Sequence, residues 1–374
     1  MSGQPALSFL SHFAALDDPR QAAKVLYPLP EILLLLLCAT VAGADDCVEI
    51  ALWGEEHMAF LRRFLPFRRG IPSHDVLCDV IAAIDPVAFK TCFEAWVETL
   101  RAKDPAIIAV DGKTSRRSHD RRKGRMALHT VSAWATGQRL VLGQEATEEK
   151  SNEITAIPRL LHRLDLHGAL VTIDAMGTQT AIAQAILDGG GDYVLALKEN
   201  WPATHAAVAQ VFADAPADLA IQRSQTIDAD HGRIETRTHA VCHHVDWLFS
   251  DRRHPGEFRF PGLAAIGMVE SETEHGGALE RERRFYLCST RMDAETFGRV
   301  VRAHWGIETT SNYSRDVTFA EDRSRIRTNP GVFARLRSFG YNILKANRTD
   351  TLSQDRYRAA LAGIKKLGSL VAIS

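Results

Sequence analysis

The chain has 374 residues, enough for two or three domains or for one large domain with insertions. It is 45% hydrophobic and 24% charged with a formal net charge of −1, an ordinary soluble composition that excludes a disordered or collagenous chain. Near-neutral charge alone argues against a nucleic-acid partner, but the distribution matters more than the sum.

The first residues, Met1 to Leu10, lack a basic region, and Asp17, Asp18 and Arg20 follow, so no signal peptide is expected. The most apolar stretch, Ile32 to Gly43, is shorter than the roughly 20 residues that span a bilayer and reads as a buried helix. A cytoplasmic protein without a membrane partner is expected. The cysteines are scattered with no Cys-x-x-Cys pair, which suits reduced, buried thiols better than zinc.

Residues 1–104 read as a helical N-terminal domain. Ser73 suits an N-cap, and Val76, Leu77, Val80, Ile81 and Ile84 recur at helical spacing. Asp85-Pro86 breaks that helix, and Phe89, Phe93, Trp96, Val97 and Leu100 mark the next. Two helices across a short turn suit a helix-turn-helix or plain packing; with little basic charge beyond Lys90, packing is the better reading.

From residue 105 the pattern changes. Ala106 to Val110 is a β-prone run ending at Asp111. Leu128 to Trp134 and Arg139 to Leu142 read as strands joined by a hairpin at Thr136-Gly137-Gln138. Ser151 to Leu164 reads as a helix with Ile154, Ile157, Leu160, Leu161 and Leu164 on one face. A strand at Leu170 to Ile173 ends at Asp174. A helix at Thr178 to Leu187 stops at Gly189-Gly190-Gly191, and Tyr193 to Leu197 is a further strand. This mixture of an antiparallel start with βαβ crossovers is the order of an RNase H-like core. Residues from about 220 to 290 read as a β-rich insertion, with strands at Arg233 to Val241, Leu263 to Val269 and Arg284 to Cys288. Asp293 then caps a helix running through Glu308, and Arg335 to Asn347 and Tyr357 to Leu367 complete a helical C-terminus.

Two basic zones stand out. Arg116, Arg117, Arg121, Arg122, Lys123 and Arg125 face one acid, Asp120. From Arg323 onward, Arg325, Arg327, Arg335, Arg337, Lys345 and further cations outnumber the acids. Either zone suits a solvated surface or a phosphate-facing one.

Asp111 and Asp174 each follow an apolar strand, 63 residues apart, and neighbouring strands would bring them together. Phosphoryl transfer supplies the need: Mg²⁺ is a hard ion that binds few carboxylates and keeps waters. Two such ions about 4 Å apart activate the attacking oxygen and stabilise the leaving one. Glu308, on a predicted helix with His304 one turn earlier, is the natural third carboxylate; a surface ion pair with His304 is the plainer reading of it.

Several blocks, in this order, carry a resemblance. They are Asp18-Pro19-Arg20, Gly70-Ile71-Pro72-Ser73-His74-Asp75, Asp111-Gly112-Lys113-Thr114, Glu149-Lys150-Ser151-Asn152-Glu153-Ile154, Thr172-Ile173-Asp174-Ala175-Met176, Asp192 to Lys198, His231-Gly232-Arg233-Ile234-Glu235-Thr236-Arg237, His304-Trp305-Gly306-Ile307-Glu308, Asp316-Val317-Thr318-Phe319 and Ser324-Arg325-Ile326-Arg327. The chain resembles DDE transposases of bacterial insertion sequences, in particular the group that includes the H-repeat-associated proteins beside Rhs elements. The resemblance runs from about Phe9 to Lys345. It implies an RNase H-like catalytic domain over 105–374 with a β-rich insertion before the catalytic Glu. It also implies dependence on Mg²⁺, with Mn²⁺ as a substitute, and Asp111, Asp174 and Glu308 as catalytic, metal-holding acids. Lys113, Arg116, Arg117, Lys198, Arg233, Arg237, His304, Arg325 and Arg327 are implied contacts to double-stranded DNA. Recognition of element ends would fall to residues 1–104, and synapsis implies a homodimer on DNA.

The sequence departs from that pattern after Glu308. Thr309 stands where Asn is usual, Ser311-Asn312-Tyr313 where Leu-His-Trp is usual, and Arg315 where an apolar residue is usual. A hydrolytic nuclease, and a decayed copy that binds DNA without cutting it, therefore remain as alternatives.

Overall fold

The computed structural model describes residues 8–102, 106–119, 124, 126–147, 153–215, 219–230, 233–248, 260–275 and 278–361. Six helices come first: α1 (Ser8–His12), α2 (Leu29–Ala42), α3 (Cys47–Glu56), α4 (Met58–Leu61), α5 (His74–Ala83) and α6 (Pro86–Leu100). α2 is apolar on every side and buried from Glu31 onward, as a core helix must be. It ends at Gly43, whose φ of 118° needs a residue without Cβ. Among the described residues no helix is long and apolar enough to cross a membrane. Ser73 caps α5 by accepting from the Val76 amide, and Asp85 caps α6 ahead of Pro86.

The rest alternates strands and helices: β1 (Ile107–Thr114), β2 (His129–Ala135), β3 (Leu140–Thr147), α7 (Glu153–Leu161), β4 (Leu170–Ile173), α8 (Thr180–Asp188), β5 (Asp192–Leu197), α9 (Pro202–Ala213), β6 (Ile221–Asp230), β7 (Arg233–Cys242), β8 (Ala265–His275), β9 (Ala278–Cys288), α10 (Ala294–His304), α11 (Tyr313–Val317), α12 (Pro330–Ala346) and α13 (Leu352–Leu361). Among the described residues all nine strands join one mixed sheet in the order β3-β2-β1-β4-β5-β9-β8-β7-β6. β1, β4 and β5 are parallel, whereas β2 and β3 run antiparallel to their neighbours. Strands β6–β9 extend this sheet: Val194–Leu197 of β5 pair antiparallel with Phe285–Cys288 of β9.

Alternation along each strand divides the core into two layers. Val171, Ile173, Tyr193 and Leu195 join the large buried cluster, which also takes in the N-terminal helices and α12. Leu170, Val194 and Ala196 point the other way, onto Phe297, Val300 and Val301 of α10. Phe339 of α12 packs against Phe13, Phe89, Phe93 and Trp96, tying the N-terminal helices to the sheet's edge. That edge is further covered by Asn342, whose amide accepts from the Val141 amide and donates to the Val141 carbonyl, both at 2.9 Å. Lys90 is buried in this seam: its ammonium donates to Glu145 at 2.8 Å, and Arg163 bridges Glu145 and Glu94. It thus serves helix packing, in keeping with the plain-packing reading of α5 and α6.

The sequence pattern misassigns one pair on α7. Ile154, expected on the apolar face, is 40% exposed, while Glu153 is 4% exposed. The cause lies in a polar partner: His129 Nε2 sits 2.6 Å from Glu153 Oε1, and the ring's other nitrogen meets Thr114 Oγ1 at 2.7 Å.

Candidate active site

β1 does not stop at Asp111, contrary to the expectation that this acid ends its strand. Its parallel pairing with β4 ends at Val110 opposite Ile173, but antiparallel pairing with β2 continues from Asp111 through Thr114. Asp111 is therefore a mid-strand residue at the point where one neighbour departs, and Asp174 is the first residue past the departing strand. The register sets the two acids side by side, neighbouring strands lying about 4.8 Å apart. Asp174 Oδ1 accepts from the Met176 and Gly177 amides at 3.1 and 3.2 Å, which fixes the turn it opens. Thr178 then donates to the Ala196 carbonyl, and Asn200 and Trp201 donate to Ala175 and Thr178, binding that turn to the end of β5.

The third acid comes from the helical arm. α10, capped by Asp293, leads into a π-turn over Ile307–Asn312, in which the Tyr313 amide donates to the Glu308 carbonyl five residues back. Such single π-turns inside helices occur often at functional sites. Glu308 is exposed on this turn. One turn further, Asn312 Nδ2 donates to Asp111 Oδ2 at 2.8 Å. Adjacent strand residues face opposite ways, so Asp111 meets the π-turn while Gly112 faces α7. A Cβ on Gly112 would lie 2.3 Å from Glu153 Oε1 and 2.7 Å from His129 Nε2.

The electrostatics mark Asp111. Burial, then the charges of Glu308, Asp174 and Glu153, push its carboxyl up to about 6. The opposing influence is the backbone amide of Gly112, and among the described residues no cation figures beside it. Oxygen donors that repel one another around a desolvated carboxylate suit a hard divalent cation. The acids do not form a finished cage: among the described residues no three His, Cys, Asp or Glu side chains make a ready ligand set.

His304 does not ion-pair with Glu308. Its Nδ1 lies 2.9 Å from Thr172 Oγ1, and burial depresses its pKa against the opposing pull of Asp174. Lys113 also lies elsewhere than expected. Its side chain is only 9% exposed and ion-pairs with Asp316, Asp322 and Glu321. Arg237 is likewise spent on Asp228 and Glu235. Arg116 is 81% exposed beside Asp322. Lys198 is exposed just past β5. Arg117, Arg323, Arg325 and Arg327 line a cavity of about 670 Å³ between the starts of α3 and α5 and the segment after α11. The side chain of Arg233, the cations Arg121, Arg122, Lys123 and Arg125, and the Glu149–Asn152 and His231-Gly232 blocks lie outside the described residues.

Comparison with known proteins now bears on this arrangement. The family model described as Transposase DDE domain matches residues 78–339, and one described as DDE_Tnp_1-associated matches residues 10–97. The chain belongs to the DDE transposase family. It is 37% identical to the H repeat-associated protein YhhI of Escherichia coli strain K12 over 90% of this chain and 89% of that one. With YncI of Escherichia coli O157:H7 it shares 39% identity over 90% and 87%. Both relatives carry provisional transposase names. A piggyBac transposase synaptic complex with hairpin DNA aligns at 10% identity and a TM-score of 0.41, covering 99% of this chain and 79% of that one, too distant to support an argument.

Sequence reasoning missed Asn312, Arg315, Thr172 and the His129–Glu153 pair. Asn312 left a signal, its spacing of four residues from Glu308; Thr172 and the His129–Glu153 pair depend on partners 24 or more residues away, and Arg315 reads as an isolated charge until Asn312 and Glu321 are seen folded against it.

Proposed function

We propose that the chain is an active DDE transposase that cuts and rejoins DNA strands at Asp111, Asp174 and Glu308. The observation that carries this reading is the register step that sets Asp111 beside Asp174 under the arm bearing Glu308, with Asp111 desolvated and pressed by the neighbouring acid charges. In this reading β3-β2-β1-β4-β5 is an RNase H-like core and β6–β9 are its insertion.

Divalent cations, when bound, activate an attacking oxygen and stabilise the leaving one. The chain's own residues do the rest. Asp111, Asp174 and Glu308 supply the carboxylate oxygens. Asn312 holds one oxygen of Asp111. His304, kept neutral by burial, fixes the end of α10 to β4 through Thr172 and adds no charge beside Asp174. In this reading Lys198, Arg116, Arg117, Arg325 and Arg327 hold the backbone of double-stranded DNA, which positions it without reading sequence. Residues 1–104 would recognise element ends, with a homodimer bridging two of them. Lys113 and Arg237 are withdrawn from the DNA-contact set because their charges are already paired.

The test is strand cleavage and joining on DNA carrying the flanking element's ends, with Mg²⁺ or Mn²⁺. Joined products that vanish in Asp111→Ala and Glu308→Ala are expected. Cleaved but never joined products would make it a hydrolytic nuclease. Binding without cleavage under either cation would make it a DNA-binding relic.

A further inference from the structure

We infer that Arg315 and Asn312 form a relay that positions Asp111, so that the residues departing from the family pattern are a rebuilt part of the site. Asn312 lies between two partners. Its Nδ2 donates to Asp111 Oδ2 at 2.8 Å, and its Oδ1 accepts from Arg315 Nη2. Flipping the amide would set donor against donor and oxygen against carboxylate, so the two contacts together fix its orientation.

Arg315 is fully buried, with 0% of its surface exposed. An arginine is almost never so placed unless paired. Its ion-pair partner is Glu321, 3.8 Å from Nε and itself buried. Glu321 in turn accepts from Ser115 Oγ at 2.9 Å and lies 3.8 Å from Lys113 Nζ. The chain of contacts therefore leaves β1 at Asp111, passes through Asn312, Arg315 and Glu321, and returns to the same strand at Lys113 and to Ser115 just past its end. It closes a loop between the strand carrying one acid and the helical arm carrying another.

Neither Nε nor Nη1 of Arg315 has a hydrogen-bond partner among the described residues. The guanidinium's one hydrogen bond to protein there is the bond to Asn312. A buried charge that spends its one such bond on the amide gripping Asp111 is better explained by positioning than by packing, since buried ion pairs are weak sources of stability. Groups behind a metal-holding carboxylate orient it, and their loss costs about 10- to 100-fold in cation affinity.

In its effect on the cation the relay rests on the reading of Asp111, Asp174 and Glu308 as cation-holding acids; its geometry does not. Two measurements on the full chain separate these. The first uses protein free of DNA and metal, labelled with ¹⁵N-asparagine. The Asn312 side-chain amide signal, assigned by its loss in Asn312→Leu, should move in both Asp111→Asn and Arg315→Lys. A signal unmoved by either change overturns the relay.

The second is Mn²⁺ affinity. Asn312→Leu and Arg315→Met should each weaken it about 10-fold or more, the double variant no further than Asn312→Leu alone. Asn312→His, which keeps an N–H donor, should recover part of the loss. Additive losses, or wild-type affinity in Asn312→Leu, overturn the positioning role. Should Arg315→Met fail to fold, Arg315→Lys replaces it. Unchanged Mn²⁺ affinity in Asp111→Ala would instead sink the reading of the acids, leaving the amide signal to decide the relay.

Discussion

The two arms of the site hold their acids by different means. Asp111 and Asp174 stand on neighbouring strands, where a ladder of backbone hydrogen bonds sets their separation. Glu308 stands on a π-turn, where one extra residue interrupts the helical repeat and no ladder fixes its distance from the sheet. The sheet acids inherit their geometry from the fold. The helical acid depends on side-chain ties: Thr172 to His304 on one side, and Asn312 to Asp111 on the other. Precision on a strand comes from backbone pairing, whereas on a helical arm it must be built from side chains that a substitution can remove.

The largest expected effects separate the arms by sign. Asp111→Asn and Glu308→Gln should each lower cleavage by roughly three orders of magnitude, the several kcal/mol a positioned cation contributes. Their stabilities should diverge. The Asp111 carboxyl moves from its ordinary 3.8 up to about 6 in the fold. Above that upper value it is ionised in both states, and the fold bears the full penalty, on the order of 3 kcal/mol. As pH falls from 6 towards 3.8 the native state takes up the proton first and stability rises; below 3.8 the difference is gone. Asp111→Asn should therefore melt higher than wild type at pH 7–8 without divalent cations, and the gap should close near pH 4. Glu308→Gln, on an exposed turn, should shift stability within about 0.5 kcal/mol. Equal melting of Asp111→Asn and wild type across this range would refute the picture of an uncompensated strand acid.

A second change probes the strand arm's rigidity. Gly112→Ala places a methyl against Glu153 and His129, which are buried and bonded to each other. Overpacking of this kind costs about 1–3 kcal/mol. The strand must yield where Asp111 stands, and a misplacement of about 1 Å can cost 100-fold in rate. Cleavage kinetics and a denaturation curve on Gly112→Ala check both; an active, fully stable variant would show that the strand arm is not held as tightly as its ladder suggests.

The strand arm was also the legible one. β4 was read to the residue as Leu170–Ile173 because a short β-branched run between a glycine and an acid has few other interpretations. The hairpin at Thr136–Gln138 followed from turn chemistry, with Arg139 at a φ of 59° closing it. β6 leaves no strand signal, because Ile221–Asp230 carries only scattered apolar residues and nearly all of it faces solvent. α9 was missed because its many alanines blur the helical stripe. On the helical arm the π-turn has no sequence signature, and Arg315 and Asn312 read as losses because their partners lie on other elements. The pairing of Lys113 was hidden for the same reason: Asp316 lies 203 residues further on.

The smallest effects concern how each arm would grip DNA. Lys198 stands at the end of β5 on the strand side, whereas Arg325 and Arg327 follow Glu308 and line the cavity with Arg117. Asp45, Asp46 and Asp79 line the same cavity and offset part of its positive charge. Contacts to phosphate release counterions, so each one lost should reduce the slope of log affinity against log salt by about 1 without changing sequence preference. Arg325→Gln with Arg327→Gln should then cost up to about 2 in slope, and Lys198→Gln about 1. Cleavage at saturating DNA should be preserved in both, because neither removes an acid or a tie to one. A slope that falls for Lys198→Gln alone would place the duplex on the strand side and make the arginine cavity a surface feature. A fall for the arginine pair alone would assign DNA holding to the helical arm, beyond the reach of the sheet's register.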